Sequence, residues 1–102
     1  MNQIKTLEEI KETLIRLKPF LRERYKVKEI GIFGSWVRGE QGEGSDIDIL
    51  IEFEKDAKIG LLEFIRIENF LSEYLGIKVD LVLRSALKPN IGKYILEEVI
   101  YL

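Results

Sequence analysis

The eight residues Asp46 to Phe53, "DIDILIEF", constrain the fold more than any other stretch of the chain. Charged and apolar residues alternate with a period of two, the pattern of an extended strand with one face in a core. Ile47, Ile49 and Ile51 take one face; Asp46, Asp48 and Leu50 take the other. Two carboxylates therefore stand on the same side of one strand, with bases roughly 6–7 Å apart. Drawn together to about 4 Å they would repel by ~4 kcal/mol at an effective dielectric near 20. A divalent cation turns that repulsion into attraction, and Mg²⁺ prefers such oxygen ligands. A D-x-D pair on its own more commonly caps a loop, so its meaning depends on the rest of the chain.

The surrounding elements follow from periodicity and punctuation. "TLEE" is a capping box with Thr6 as N-cap, opening a helix whose Leu7, Ile10, Leu14, Leu17 and Leu21 form a buried stripe. Pro19 is expected to kink that helix or to start a second turn. "VKEIGIF", residues 27–33, reads as strand one; Gly34 ends it, and 36–40 form a short helical turn. "GEQGEGS" is an exposed glycine-rich loop leading to strand two, 46–53. Residues 61–75 form a second long helix, with Phe64, Ile67, Leu71 and Tyr74 on its buried face and Gly76 as C-terminal cap. "IKVDLVL", 77–83, is strand three; its apolar character predicts a central place in the sheet. Pro89 starts a last helix running to about Glu97, and "VIYL" is a terminal edge strand. Strands one and two are joined by too little chain for a helical crossover, which predicts an antiparallel pair. The order implies a small mixed sheet with helices packed on it.

Strand three carries the third carboxylate, Asp80, in an apolar setting where an unpaired charge is costly. Placed beside strand two, it joins Asp46 and Asp48. Three carboxylates on two strands suit a two-metal site for phosphoryl transfer, with Asp80 also serving as base. The composition narrows the alternatives. The 102 residues contain no histidine and no cysteine, which removes the usual general base, a Ser-His-Asp arrangement, disulfides and thiolate zinc sites. A net charge of −2 argues against holding nucleic acid by bulk charge. The start, "MNQIKTLEEI", lacks a signal-peptide core, and no apolar run reaches the ~18 residues of a membrane span, so the cytoplasm is the expected location.

Ahead of the acidic pair, Gly34-Ser35 leaves a strand and opens a helical turn. Its backbone N–H groups are suited to a phosphate, glycine allows close approach, and the Ser35 hydroxyl adds a hydrogen bond. Arg38, one turn on, either binds a phosphate oxygen or braces the turn against an acidic residue. The spacings are those of neither a Walker A loop nor a dinucleotide fingerprint. Trp36 is expected to pack under the turn, and Arg84 and Lys88 to be solvated.

Gly34-Ser35, a gap of ten residues and Asp46-Ile47-Asp48 together resemble the signature of the polymerase-beta-like nucleotidyltransferase superfamily. The longer match, "IFGSWVRGEQGEGSDIDILIEF" with "VDLVLRSALKP" downstream, resembles its minimal nucleotidyltransferase (MNT) branch and covers nearly the whole chain. The resemblance implies an α+β nucleotidyltransferase fold, one minimal domain over residues 1–102, and use of ATP with two Mg²⁺ ions. It implies that Gly34 and Ser35 are the phosphate-binding pair, with Arg38 as the arginine of the extended motif. Asp46 and Asp48 would be the metal-binding pair and Asp80 the third catalytic, metal-binding carboxylate. Small stand-alone members resemble antitoxins that transfer AMP to a tyrosine of a HEPN-domain ribonuclease toxin, and the same role is expected here. Two other readings stay open: a non-catalytic antitoxin acting by stoichiometric binding, and a small-molecule nucleotidyltransferase whose acceptor site comes from a partner subunit.

Overall fold

The structure, a computed structural model, describes residues 6–102; the first five residues of the stretch read for a leader lie outside them. Helix α1, Leu7–Tyr25, opens on the expected capping box: Thr6 Oγ1 accepts from the Glu9 N–H at 3.1 Å and Glu9 Oε1 accepts from the Thr6 N–H at 2.8 Å. Pro19 does not divide the helix. It lies on the exposed side, where water can take the carbonyl it leaves free, while Leu17 and Leu21 on either side of it are buried in the core. The helix stops at Lys26, whose φ of 59° breaks the run and whose N–H donates to the Arg22 carbonyl.

Strand β1 (Val27–Phe33) leads through the one-turn helix α2 (Ser35–Arg38) into β2 (Ile47–Phe53), its antiparallel neighbour. Helix α3 (Leu61–Leu75) then carries the chain to β3 (Val79–Leu83), which runs parallel to β2. A 3₁₀ turn (Arg84–Ala86), α4 (Pro89–Glu98) and the short β4 (Ile100–Tyr101) close the chain. The mixed sheet has the order β3-β2-β1-β4, with β4 antiparallel to β1 at one edge as expected. Ile47, Ile49 and Ile51 pack with Ile10, Leu14 and Leu21 of α1 and Ile67, Leu71 and Leu75 of α3, all fully buried. The face carrying Asp48 is thereby turned away from this core. Among the described residues no helix is long and apolar enough to cross a membrane.

Two expectations are corrected. Strand three starts at Val79 and is an edge strand, not a central one. An edge normally leaves N–H groups unpaired. Here α3 supplies the acceptors: Ser72 Oγ accepts from the Val79 N–H and Glu68 Oε2 from the Leu81 N–H, each at 2.9 Å. Tyr74 is 55% exposed, and Leu75 completes the buried i, i+4, i+8 row from Ile67. Tyr74 sits one position off that row and stacks on Phe70, whose ring in turn meets Phe20.

The approach of β4 to β1 depends on Gly31. A Cβ there would lie 2.7 Å from Val99 Cγ2 and 2.9 Å from the Ile100 carbonyl oxygen. Gly31→Ala is therefore expected to cost about 1–3 kcal/mol, the scale of overpacking, and to loosen β4. Urea unfolding measures the destabilisation, and faster amide exchange confined to 99–102 would locate it.

Candidate functional site

The register of the sheet builds the site. Phe33, Asp48 and Asp80 are Cα partners in one row across β1, β2 and β3. Neighbouring strands lie about 4.8 Å apart, so the Asp48 and Asp80 side chains rise from the same face as immediate neighbours. Asp48 is half-buried and its carboxyl is pushed up to about 6. Burial is the largest cause, followed by the charge of Asp80, a hydrogen bond with Asp80 and the charge of Asp46; Arg38 acts weakly in the opposite direction. Asp46 lies just before β2, exposed, and adds like charge from the mouth of the strand. Asp80 is exposed as well, so the burial cost read from its apolar strand does not arise: at the sheet edge its face is open to solvent. Among the described residues no three acidic side chains converge tightly enough to form a ready-made metal cage.

Gly34 is buried and adopts φ 85°, ψ −155°, a conformation open in practice only to glycine. A side chain there would collide with Asp48 Oδ2. The glycine therefore lets the turn close over the carboxylate of Asp48. Its carbonyl accepts from Val37 and Arg38, shaping α2, and its N–H donates to Glu98 Oε2 at 2.6 Å. Ser35 follows, partly exposed, and Trp36 packs beneath the turn as expected, 7% exposed with its indole N–H unpartnered among the described residues. Arg38 braces rather than dangles: Nε donates to Glu40 Oε1 at 2.8 Å and Nη1 to Glu98 Oε1 at 2.7 Å. Burial pulls the Glu98 carboxyl upward, but the hydrogen bonds from Arg38 and the Gly34 N–H outweigh it and hold it below the usual range.

Sequence reasoning missed Glu98. A signal was present, because Glu97 and Glu98 close α4, where the helix dipole disfavours negative charge and no basic residue stands in the last turn. Such a carboxylate calls for a compensating donor elsewhere. Arg84 and Lys88 stand at the far end of β3 and line an open groove of about 510 Å³; Arg84 is 3.7 Å from Glu52.

Chemically, the site offers hard oxygen donors crowded against one another, with neither thiolate nor imidazole. That donor set fits Mg²⁺, whose charge would relieve the repulsion that raises Asp48.

The fold that carries this arrangement is shared with known proteins. The sequence model of the nucleotidyltransferase domain matches residues 14–102. Among curated relatives, a protein adenylyltransferase, MntA of Thermococcus cleftensis, is 53% identical over 96 residues, covering 94% of this chain and 95% of its own. A solved structure of a candidate minimal nucleotidyltransferase superposes with a TM-score of 0.80 at 32% identity, covering 99% of this chain and 100% of the other. A tri-AMPylated HEPN toxin of Shewanella oneidensis solved in complex with its MNT antitoxin gives a TM-score of 0.65 at 18% identity, over 90% of this chain and 70% of the other, a likeness of fold.

The raised Asp48 carboxyl makes stability depend on pH. The folded state holds its proton up to about pH 6, whereas an ordinary carboxyl loses it near 3.8. The stabilisation is thus present below pH 3.8 and lost as pH rises through 6. With divalent cations chelated, Asp48→Asn is expected to unfold at a higher temperature than the wild type at pH 8, the gap closing by pH 4. Thermal melts from pH 4 to 8 check this; a gap that does not change with pH would contradict it.

Proposed function

The chain belongs to the nucleotidyltransferase domain family, and we propose that within it the protein transfers AMP from ATP to a tyrosine of a cognate HEPN-domain ribonuclease toxin, silencing it. The protein is a nucleotidyltransferase enzyme. The observation that carries the finer reading is identity of 53%, over nearly the whole of both chains, to a protein adenylyltransferase. The HEPN partner rests on the likeness of fold to the antitoxin seen with an AMPylated HEPN toxin. The cytoplasm, where ATP and such a partner meet, is the compartment this activity calls for.

Asp46, Asp48 and Asp80 would hold Mg²⁺, two ions in the full reading, which supplies charge neutralisation at the phosphates and a more acidic acceptor hydroxyl. The chain's own residues do the rest. Ser35 presents its hydroxyl and N–H to phosphate oxygens, and Arg38 adds charge-assisted donors. Asp48, pinned by Gly34, keeps the acidic row beside the turn. The tyrosine oxygen attacks the α-phosphorus, a new P–O bond forms, and the bond to the bridging oxygen breaks to release pyrophosphate. Asp80, exposed at the sheet edge beside Asp48, takes the proton.

Incubation of the partner toxin with this protein, ATP and Mg²⁺ is expected to raise the toxin's intact mass by whole AMP units on tyrosine. Asp48→Ala and Asp80→Ala should each slow transfer at least ~100-fold, the scale of removing an electrostatic stabiliser, while leaving the complex intact. Neutralisation that survives both changes would favour the binding-only reading. AMP found on a small acceptor, and none on the toxin, would favour the small-molecule enzyme.

A further inference from the structure

Glu98 belongs to none of the motifs above, yet it holds the glycine turn at both ends. Its Oε2 accepts from the Gly34 N–H at 2.6 Å and its Oε1 from Arg38 Nη1 at 2.7 Å. The two donors flank α2, a single turn of four residues that is far too short to be stable alone. One carboxylate thus clamps α2 from its N-cap to its last residue.

Glu98 is anchored in the chain on both sides. On one side lies α4; on the other, Val99 and β4 are held against β1 by the pairs Gly31–Tyr101 and Ile32–Ile100 and by the Leu102 N–H donating to the Ile30 carbonyl at 3.0 Å. Close contact at Gly31 leaves β4 little room to shift. A carboxylate mounted this way is a fixed brace, not a lid that swings aside. Arg38 is pinned by two carboxylates, with Nε on Glu40 and one Nη1 hydrogen on Glu98. A guanidinium carries five N–H donors, so three remain without a partner among the described residues.

We propose that Glu98 is a positioning residue for nucleotide binding: by holding the Gly34 N–H and Arg38 it fixes the turn so that Ser35 and the three remaining Arg38 donors are preset for the phosphates. The proposal rests on the nucleotidyltransferase reading of this site. It also reassigns the Gly34 N–H, which serves the brace and not the ligand.

The test compares wild type, Glu98→Gln and Glu98→Ala for binding of ATP and of AMP, each with Mg²⁺. Trp36, the sole tryptophan and two residues from Gly34, gives a fluorescence readout, and calorimetry gives a second. Glu98→Ala is expected to weaken ATP binding about tenfold, the scale of removing one charge-assisted hydrogen bond to phosphate, and AMP binding less than about twofold. Glu98→Gln keeps the shape and one acceptor and should fall between. A merely structural role would weaken both nucleotides together in step with the fall in melting temperature, and would overturn the proposal. Tighter ATP binding by the variants would do so too, because Glu98 would then be a competitor of phosphate. If the wild type binds ATP and the variants bind it equally well, this inference alone fails; if the wild type binds no nucleotide, the proposed function fails with it.

Discussion

The parallel pairing of β2 with β3 is the interaction on which the site depends. Only that register sets Asp48 beside Asp80, and a slip of one residue would turn Asp80 to the opposite face of the sheet. The pairing is secured from outside the active face. Helix α3 spans the crossover, buries Ile67, Leu71 and Leu75 against the isoleucines of β2, and caps the open edge of β3 through Ser72 and Glu68. The apolar residues of α3 therefore determine where a carboxylate on another element stands.

Much of this was legible in the sequence, for identifiable reasons. The alternation in β2 reports a local property, the period of a strand, and it placed Asp48 on the face away from the core. Thr6, Gly76 and Pro89 act within a few residues of themselves, and their roles as caps and start signals hold in the structure. The apolar surroundings of Asp80 in the sequence suggest a burial cost that its exposure removes, yet the row it occupies is the one anticipated beside strand two. An apolar strand is ambiguous in this respect, because side chains of α3 can protect an edge as well as a neighbouring strand can. The bonds of Glu98 to Gly34 and Arg38 join residues 64 and 60 positions apart, and no local period encodes such a contact.

The glycine of the turn changes meaning once its surroundings are known. From sequence alone, Gly34 suggests room for a phosphate. In the fold, the space where its side chain would stand belongs to Asp48, and its N–H belongs to Glu98. Both facts bind the turn to the acidic row, so the distance between the two is held by direct contact through Gly34. The loop 39–46 touches this geometry only at its ends, through Glu40 on Arg38 and Asp46 beside Asp48, so its glycine-rich middle is left unconstrained by it.

The acidic row also shows why the site is organised around charge that the fold does not neutralise. Among the described residues Asp48 has only Arg38 opposing the combined effects of burial, Asp80 and Asp46, and Arg38 is itself engaged by Glu40 and Glu98. A chain selected for stability alone would place an asparagine at position 48 or turn Arg38 toward it. Keeping Arg38 on two glutamates leaves the aspartates under-compensated, which favours a cation over a proton once a divalent ion is available. The same pairing limits the net positive charge at the turn, so that the turn offers oriented donors more than bulk charge. Glu98, by tying up Arg38, thus acts on both halves of the site: it sets the geometry of one and sustains the electrostatic tension of the other.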